Sequence, residues 1–366
     1  MTSTGRDARR FSDVGEDGVI ASVVARCPTQ PAHVVLGPGD DAAVLDVRGP
    51  VVISTDTLVE GHDFRRDWSS ASEVGVKTAA QNLADVAAMG ARPLALVVSL
   101  AASADLPVEW AEGLAEGLDD ECRRAGAAVV GGDIAAAAQV VVTGTALGVL
   151  PTGVTSVTRA GARPGDQVAL AGRTGPSAAG LALLLAASSG TSDPASGTPD
   201  PAGRGERPAV PGLASGVRDT LLSAHRAPRP PYPAGPEAAA AGATAMIDTS
   251  DGLLRDAIRV AEASGVVIDL RTEWLIPGAD LVAAAEHLGD PALARQWVLT
   301  GGEDHALLAC FPPGVELPAS FRRVGRVLPR AAEDDDSGCG EGAPGRPGVC
   351  VDGRPWTGPT GWHHFS

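Results

Sequence analysis

Short runs of apolar and β-branched residues alternate with longer stretches of helical periodicity throughout residues 1–150. Helices are predicted at residues 69–89 and 107–125; serines and Glu73 mark the start of the first, and Gly90 marks its end. The β-like runs between them predict strands at residues 51–54, 94–100, 127–130 and 139–149.

The alternation resumes after a stretch rich in glycine and proline at residues 159–165, which indicates a domain boundary. We predict an N-terminal domain over residues 1–152 and a C-terminal domain over residues 153–366. In the second domain, strands are predicted at residues 167–171, 243–247, 266–270 and 305–311, with helices at 177–187 and 253–263. The repeated succession of strand and helix predicts an α/β fold with a parallel or mixed sheet.

Two segments of low complexity interrupt this pattern. Residues 188–216 are rich in serine, glycine, proline and aspartate, and residues 331–348 include the acidic run 333–336. Such compositions bury too little apolar surface to fold by themselves, so we predict two mobile insertions in the C-terminal domain.

Composition supports two domains and excludes several functions. The chain has 366 residues, and 44% of them are apolar, which is enough for two buried cores. The net charge is −16 and no basic patch is visible, so nucleic-acid binding is not expected. The N-terminus has no apolar signal core, and the most apolar predicted helix, residues 177–187, is too short to span a bilayer.

The five cysteines are scattered, and none of them forms a C-x-x-C pair. This pattern is typical of reduced thiols in a cytoplasmic protein and not of a disulfide framework or a zinc site. We therefore expect a cytoplasmic protein without a membrane segment.

Acidic residues recur beside glycine or hydroxyl side chains at the ends of β-like runs. The clusters are Gly39-Asp40-Asp41, Ser54-Thr55-Asp56, Gly131-Gly132-Asp133, residues 248–252 (DTSDG) and residues 301–304 (GGED). Each cluster alone is typical of a turn. Five similar clusters in one chain favour a shared chemical role.

Asp85 adds a sixth acidic position, in the predicted helix 69–89, three residues after Asn82 and therefore on the same helix face. Carboxylate and hydroxyl oxygens are the ligands that Mg²⁺ prefers. Ions held by several aspartates would neutralise a nucleotide and a phosphate acceptor, which explains how so acidic a protein could handle phosphates.

The familiar phosphate-transfer motifs are missing. A Walker A loop needs G-x-x-x-x-G-K-[ST], but the only lysine, Lys77, has no such glycines before it. The chain also has no H-R-D or D-F-G sequence, no G-x-S-x-G elbow, and no H-E-x-x-H spacing among its seven histidines. A nucleotide enzyme with this sequence would bind phosphates through metal ions and arginines.

The acidic clusters, in this order, resemble those of the thiamine-monophosphate kinase family, within the superfamily of aminoimidazole ribonucleotide synthetase. The resemblance covers nearly the whole chain. It rests on residues 37–42 (GPGDDA), 54–61 (STDTLVEG), 82–90 (NLADVAAMG), 131–133 (GGD), 159–166 (RAGARPGD), 247–252 (IDTSDG), 301–304 (GGED) and 361–365 (GWHHF).

This resemblance implies an α/β subunit of two domains, with the site in the cleft between them. The N-terminal domain would form a shared β-barrel in a homodimer, and the C-terminal domain would be an α/β sandwich. The implied reaction is the ATP- and Mg²⁺-dependent phosphorylation of thiamine monophosphate to thiamine diphosphate by direct in-line transfer, the last step of thiamine diphosphate synthesis.

The resemblance also implies roles for individual residues. Metal ligands would be Asp41, Ser54, Thr55, Asp56, Asp85, Asp133, Asp248 and Asp251. ATP contacts would be Gly132, Asp133, Arg159 and Ser250, and catalysis would depend on Asp56, Asp133, Asp248 and Arg159. Substrate contacts would be Asp63, Glu303 and Trp362.

Three of these positions allow a second interpretation. Many family members have histidine where Asp63 stands, and His62 here lies one position earlier. Arg159 could pair with a nearby acid instead of a phosphate. Trp362 could be a packing anchor, although tryptophan is also the best partner for a cationic ring.

Other members of the superfamily are alternative interpretations. Selenophosphate synthetase needs a reactive cysteine or selenocysteine with a lysine nearby, and Cys27 has no lysine near it. The hydrogenase-maturation enzyme ends in a cysteine, whereas this chain ends in Phe365-Ser366. Aminoimidazole ribonucleotide synthetase and a regulator that binds nucleotide without turnover remain open.

Overall fold

Two β-sheets organise the computed structural model, which describes residues 9–189, 210, 212–330 and 347–362. The strands are β1 (Val34–Leu36), β2 (Val44–Leu45), β3 (Val51–Val59), β4 (Arg92–Ala102), β5 (Ala128–Ala136), β6 (Val141–Val149), β7 (Gln167–Ala171), β8 (Ala245–Asp248), β9 (Val267–Leu270), β10 (Leu307–Phe311), β11 (Phe321–Leu328), β12 (Gly348–Val351) and β13 (Arg354–Pro355). The helices are α1 (Phe11–Val24), α2 (Ala71–Ala88), α3 (Val108–Ala125), α4 (Pro176–Ser189), α5 (Ser215–Arg226), α6 (Ala234–Ala240), α7 (Leu253–Ser264), α8 (Ala279–His287) and α9 (Leu293–Thr300).

The smaller of these two sheets has four strands in the order β3-β6-β4-β5. Only the β4–β5 pair is parallel. Alternate residues of β6 face α2, and two of them are glycines: a Cβ on Gly144 would meet the Asn82 amide and one on Gly148 would meet Val86. The opposite face carries the β1–β2 hairpin at one end, where Val34 and Leu45 pack against Leu94 and Val130.

Helices α2 and α3 approach each other closely because glycines stand at their crossing. A Cβ on Gly75 would lie 2.1 Å from the Leu114 carbonyl oxygen, and one on Gly117 would lie 2.0 Å from the Ser72 carbonyl oxygen. The start of α2 is fixed by a capping box, in which Ser70 accepts from the Glu73 N–H and Glu73 accepts from the Ser70 N–H.

Seven strands form the larger sheet, in the order β13-β12-β9-β11-β7-β10-β8. Among these pairs only β9–β12 is parallel. One face is covered by helices α4, α5 and α7–α9, which share a core with strand residues such as Leu170 and Leu308.

Helix α2 is the layer between the two sheets. Its Val86 and Ala87 belong to the same buried cluster as Met246 and Leu307 of the large sheet. Most of α2 is therefore buried, and all its apolar positions except Leu83 are alanines and valines, which fit the narrow space.

The predicted α/β class is confirmed, with mixed sheets in which antiparallel pairs dominate. Two predicted strands were too short: residues 51–54 extend to Val59, and residues 127–130 extend to Ala136. The Ser54–Asp56 and Gly131–Asp133 clusters therefore lie within strands and not after them, because edge strands tolerate polar residues and glycine. The predicted boundary at residue 152 stays a prediction.

The predicted insertions mostly lie outside the described residues. Of 188–216, only the edges are described; Val210 is buried and α5 begins at Ser215. Of 331–348, Gly348 begins β12.

Three of the cysteines, Cys27, Cys122 and Cys310, are buried free thiols, as expected. Cys350 is disulfide-bonded, so the expectation of reduced thiols is wrong at that position. No helix in the described part of the chain combines the length and apolarity needed to cross a membrane.

Candidate active site

The site begins where α2 lies against the edge strand β3. The Ser54 hydroxyl donates a 2.6 Å hydrogen bond to Asp85, and the Asp56 N–H donates a 2.9 Å bond to the Asn82 side-chain oxygen. The Asn82 amide in turn donates to the Thr78 carbonyl at 2.8 Å, which fixes its orientation. Asn82 and Asp85 share one face of α2, as their spacing predicts.

A third carboxylate, that of Asp248, comes from the large sheet, at the end of β8. Burial and the negative charges of Asp248 and Asp56 together raise the pKa of Asp85 to about 7, against the opposing effect of the Ser54 hydroxyl. Carboxylates from both sheets therefore converge on one place, where they repel each other unless a cation lies between them.

A buried histidine accompanies Asp248. The Nδ1 atom of His305 lies 3.0 Å from Asp248 Oδ2, and both side chains are about 5% exposed. Burial opposes a charge on the ring, but the bond to Asp248 outweighs it and raises the pKa of His305.

Two other predicted ligands lie on the opposite face of the small sheet. The Thr55 hydroxyl donates to the Gly144 carbonyl at 2.7 Å and lies 3.1 Å from the Thr145 hydroxyl. Asp133 is exposed and is in register with Ser99 of β4, in the row that continues through Thr143 to Thr57. Within one chain, Asp133 is three strands from β3, about 14 Å away across the sheet.

Asp41 is also separate from the carboxylates on α2. It is exposed in the β1–β2 connection, and its backbone N–H donates to the Asp40 carboxylate at 2.9 Å. Within the described ranges, no three His, Cys, Asp or Glu side chains are close enough to hold a metal ion together. The Ser54 hydroxyl is bonded to Asp85, and Asp56 and Asp248 act on Asp85 through their charge, whereas Asp41, Thr55 and Asp133 lie elsewhere.

Asp251 lies after β8 in an ion-pair cluster of its own. Its carboxylate accepts from Arg255 at 3.3 Å and from Arg259, and its N–H donates to Asp256 at 3.0 Å. The backbone N–H of Trp362 donates to the Asp251 carbonyl at 2.9 Å. The Trp362 ring is 61% exposed, so packing does not explain its place near the chain end.

The predicted nucleotide contacts are spread over three elements. Gly132 lies in β5, where a Cβ would come within 2.0 Å of the Val98 carbonyl oxygen, and Ser250 follows β8. Arg159 is exposed, and its carbonyl accepts from the Ser264 hydroxyl at 3.0 Å.

A second set of charged residues, centred on Lys77 of α2, connects the two sheets. Its Nζ lies 2.8 Å from Glu303 Oε1 and donates to the Asp63 carbonyl at 2.9 Å. The other oxygen of Glu303 lies 3.2 Å from Nδ1 of His225. Burial alone would raise the pKa of Glu303, but Lys77 and His225 outweigh it and lower the pKa well below its usual range.

The loop that carries Glu303 contacts three elements with three consecutive side chains. Glu303 contacts α2, Asp304 accepts from the Gly175 and Ser177 N–H groups at 2.6 and 2.9 Å, and His305 contacts β8. Both Glu303 and His305 have positive φ, 63° and 51°. Tertiary contacts hold this backbone, since side chains disfavour such angles.

Asp63 has mainly a local role. Its carboxylate accepts from the Val59 N–H at 2.8 Å and so closes the turn after β3. Its carbonyl, and not its carboxylate, contacts Lys77.

Known proteins share this arrangement over most of the chain. A family model for the N-terminal domain of AIR synthase related proteins matches residues 39–150. Thiamine-monophosphate kinase from Mycobacterium tuberculosis is 44% identical over 99% of this chain and 95% of its own length. The chain belongs to the thiamine-monophosphate kinase family.

Solved structures of this family have the same fold. The enzyme from Stenotrophomonas maltophilia superposes with a TM-score of 0.70 at 28% identity, covering 92% of this chain and 96% of its own. AaThiL complexed with AMPPCP and TMP superposes with a TM-score of 0.69 at 28% identity, covering 98% of this chain and all of its own.

Sequence reasoning missed Lys77, His225 and His305. One signal could have identified Lys77, because it is the only lysine among 29 basic residues. The histidines gave no signal, since their partners Glu303 and Asp248 lie 78 and 57 positions away in the sequence.

Proposed function

We propose that this protein transfers the γ-phosphoryl group of ATP to thiamine monophosphate, which gives thiamine diphosphate and ADP. One observation supports the proposal most: a chain that is 44% identical over 99% of its length to a thiamine-monophosphate kinase has Asp56 and Asp248, from its two sheets, acting by their charge on the buried carboxylate of Asp85. In the reaction, an oxygen of the acceptor phosphate forms the new P–O bond. The bond from the γ-phosphorus to the β–γ bridging oxygen breaks, and the electron pair leaves with ADP.

The acceptor is already an anion near neutral pH, so the reaction needs no strong general base. The protein has to bring two polyanions together in line. We propose that Arg159, Gly132 and Ser250 contact ATP, and that Asp63, Glu303 and Trp362 contact the acceptor.

Mg²⁺ fits the chemistry of the side chains at and around Asp85. Asp56, Asp85 and Asp248, with the Ser54 hydroxyl, are hard oxygen ligands, and their mutual repulsion favours a cation among them. Mg²⁺ bound there would neutralise phosphate charge. Asp41, Thr55, Asp133 and Asp251 remain predicted ligands.

We also propose that the protein is a homodimer, and the open face of the small sheet supports this. Val51, Ile53 and Val97 lie on the face opposite α2 and are 48%, 64% and 38% exposed. Strands β3 and β5 are the edges of that sheet. A second copy would cover the apolar face together with Thr55 and Asp133, which lie on that same face.

The decisive experiment supplies ATP, Mg²⁺ and thiamine monophosphate and follows ADP and thiamine diphosphate by chromatography. Free thiamine is the parallel acceptor, and excess EDTA is the control for metal dependence. We expect equal amounts of both products from the monophosphate alone, and none with EDTA. ADP without thiamine diphosphate would mean that the protein uses a different substrate, as another enzyme of the superfamily does. Nucleotide binding without turnover would favour a regulatory protein. Cytoplasmic localisation stays a prediction.

A further inference from the structure

Lys77 occupies a position where a ligand cannot reach it. Its side chain is only 3% exposed, whereas the Glu303 side chain that it contacts is 34% exposed. The other cationic side chains of this kind are arginines, and several of them form ion pairs in which the arginine is exposed or half-buried. A buried charge of this kind is expensive unless its partners are fixed, so its place in the fold calls for a role.

The ammonium group joins two loops that belong to different sheets. It donates to the Asp63 carbonyl in the turn after β3 and to Glu303 in the loop before β10. Asp63 and Glu303 are both proposed contacts of the acceptor. A single charged atom therefore sets the distance between the two loops.

Glu303 cannot take its position from local structure alone. Its φ of 63° is unfavourable for a side chain with a Cβ, and its N–H donates to the Ser250 carbonyl at 2.7 Å. Its carboxylate is held on one side by Lys77 and on the other by His225, which also lies 3.2 Å from the Ser177 hydroxyl. The exposed part of the carboxylate is thus presented in one orientation.

We propose that Lys77 is a positioning residue for the acceptor: it holds Glu303 and the Asp63 turn in the arrangement that binds thiamine monophosphate. The inference rests on the proposed function. Lys77 touches neither substrate and acts only through these two loops.

A lysine suits this place better than an arginine. The ammonium is a compact charge that can donate in several directions, and here it serves a carbonyl and a carboxylate at 2.9 and 2.8 Å. A planar guanidinium is larger and would move one of the two loops.

The test compares steady-state constants of wild type, Lys77→Met and Lys77→Arg, with thiamine monophosphate and ATP varied separately. Lys77→Met should raise KM for thiamine monophosphate about ten- to hundredfold, since small displacements of binding groups have effects of this size. KM for ATP should stay within about twofold, because the Lys77 ammonium bonds to none of the proposed ATP contacts. Lys77→Arg retains the charge and should fold, yet it should raise the same KM by a smaller factor.

A matched control removes another cation from a buried carboxylate far from the site. Arg326 lies 3.2 Å from Asp269, which keeps Arg271 as a second partner, just as Glu303 keeps His225. Arg326→Met should lower thermal stability without changing either KM.

The outcomes separate the two proposals. No thiamine diphosphate from the wild type would sink the proposed function and this inference with it. An active wild type with an unchanged acceptor KM in both Lys77 variants, or with both KM values rising in parallel, would overturn the positioning role alone.

Discussion

Helix α2 carries two charged groups about two turns apart, and they are built in opposite ways. Around Asp85, three carboxylates converge, and the pKa of Asp85 is raised to about 7 by burial and by the charges of Asp248 and Asp56. Around Lys77, one carboxylate meets an ammonium and an imidazole, and the pKa of Glu303 is lowered. The same helix therefore holds one group in which negative charge is in excess and one in which the charges are balanced.

The difference shows which part of the site is complete in the protein alone. The group at Lys77 satisfies its charges with protein partners, so it is a preset support. The group at Asp85 needs cations from outside, which suits a site for metal ions and phosphates. Substitutions should accordingly affect activity and stability differently in the two groups.

The largest effect is expected at the carboxylates. Asp56→Asn should lower kcat/KM by about 10²- to 10³-fold, the size typical for losing one group that stabilises transition-state charge. The melting temperature should stay the same or rise, because the change removes repulsion from Asp85. Kinetics and thermal unfolding measure the two quantities.

The control for Asp56 is Asp67→Asn, which changes an exposed acid that pairs with Arg65. It should leave kcat/KM unchanged. Near-normal turnover of Asp56→Asn at saturating Mg²⁺ would contradict the assignment of this cluster as a metal site.

Asp133 tests whether the site extends over two copies of the chain. Asp133→Asn alone should cost about 10²-fold in kcat. If subunits of Asp133→Asn and Asp56→Asn are unfolded, mixed and refolded, statistical dimers should regain about a quarter of wild-type activity, because half of them contain one intact site. If no activity returns in a mixture that is shown to contain heterodimers, both residues belong to the site of a single chain.

An effect of intermediate size is expected from a substitution that displaces α2, which carries both Asp85 and Lys77. Gly117→Ala would place a Cβ 2.0 Å from the Ser72 carbonyl oxygen, so the helices must separate. Overpacking of this kind costs about 1–3 kcal/mol of the free energy of unfolding. Gly216→Ala in α5 is the matched control, since its Cβ meets nothing within 4 Å; it should not destabilise the protein. Denaturant titration compares them, and equal stabilities would show that α2 and α3 can shift apart freely.

The smallest effect is expected at Asp304, which accepts from two N–H groups at the start of α4. Asp304→Ala should lower the free energy of unfolding by about 1 kcal/mol, as for other lost helix caps. Denaturant titration measures the change, with Asp219→Ala on exposed α5 as the control. A loss in Asp304→Ala no larger than in that control would mean that Asp304 does not stabilise the start of α4.

Much of the fold could be predicted because local patterns agree with it. The residues that start and end α2 follow from Ser70, Glu73 and Gly90, and strand β7 was placed without error from its apolar run. The helices α1, α5, α6, α8 and α9 and the strands β1, β2 and β11–β13 were not predicted; most of them are short, and short elements depend on their neighbours for stability.

The sequence predicted which types of residue would form the site but not how they are arranged in space. The acidic clusters pointed to phosphate and metal chemistry, and Asp85 was assigned to the face of Asn82. The separation of Asp133 from Asp56 could not be foreseen, because it depends on the strand order β3-β6-β4-β5 and on which face each residue occupies.

By itself, the sequence determined the α/β class, the course of its longest helices and strands, and the residue types that could handle phosphates, since periodicity and side-chain chemistry are local properties. Only the tertiary structure decided which of those residues meet. The pairing of Lys77 with Glu303 and of Asp248 with His305 spans 226 and 57 positions of the chain. Such contacts arise because two sheets pack against one shared helix, and no local pattern records them.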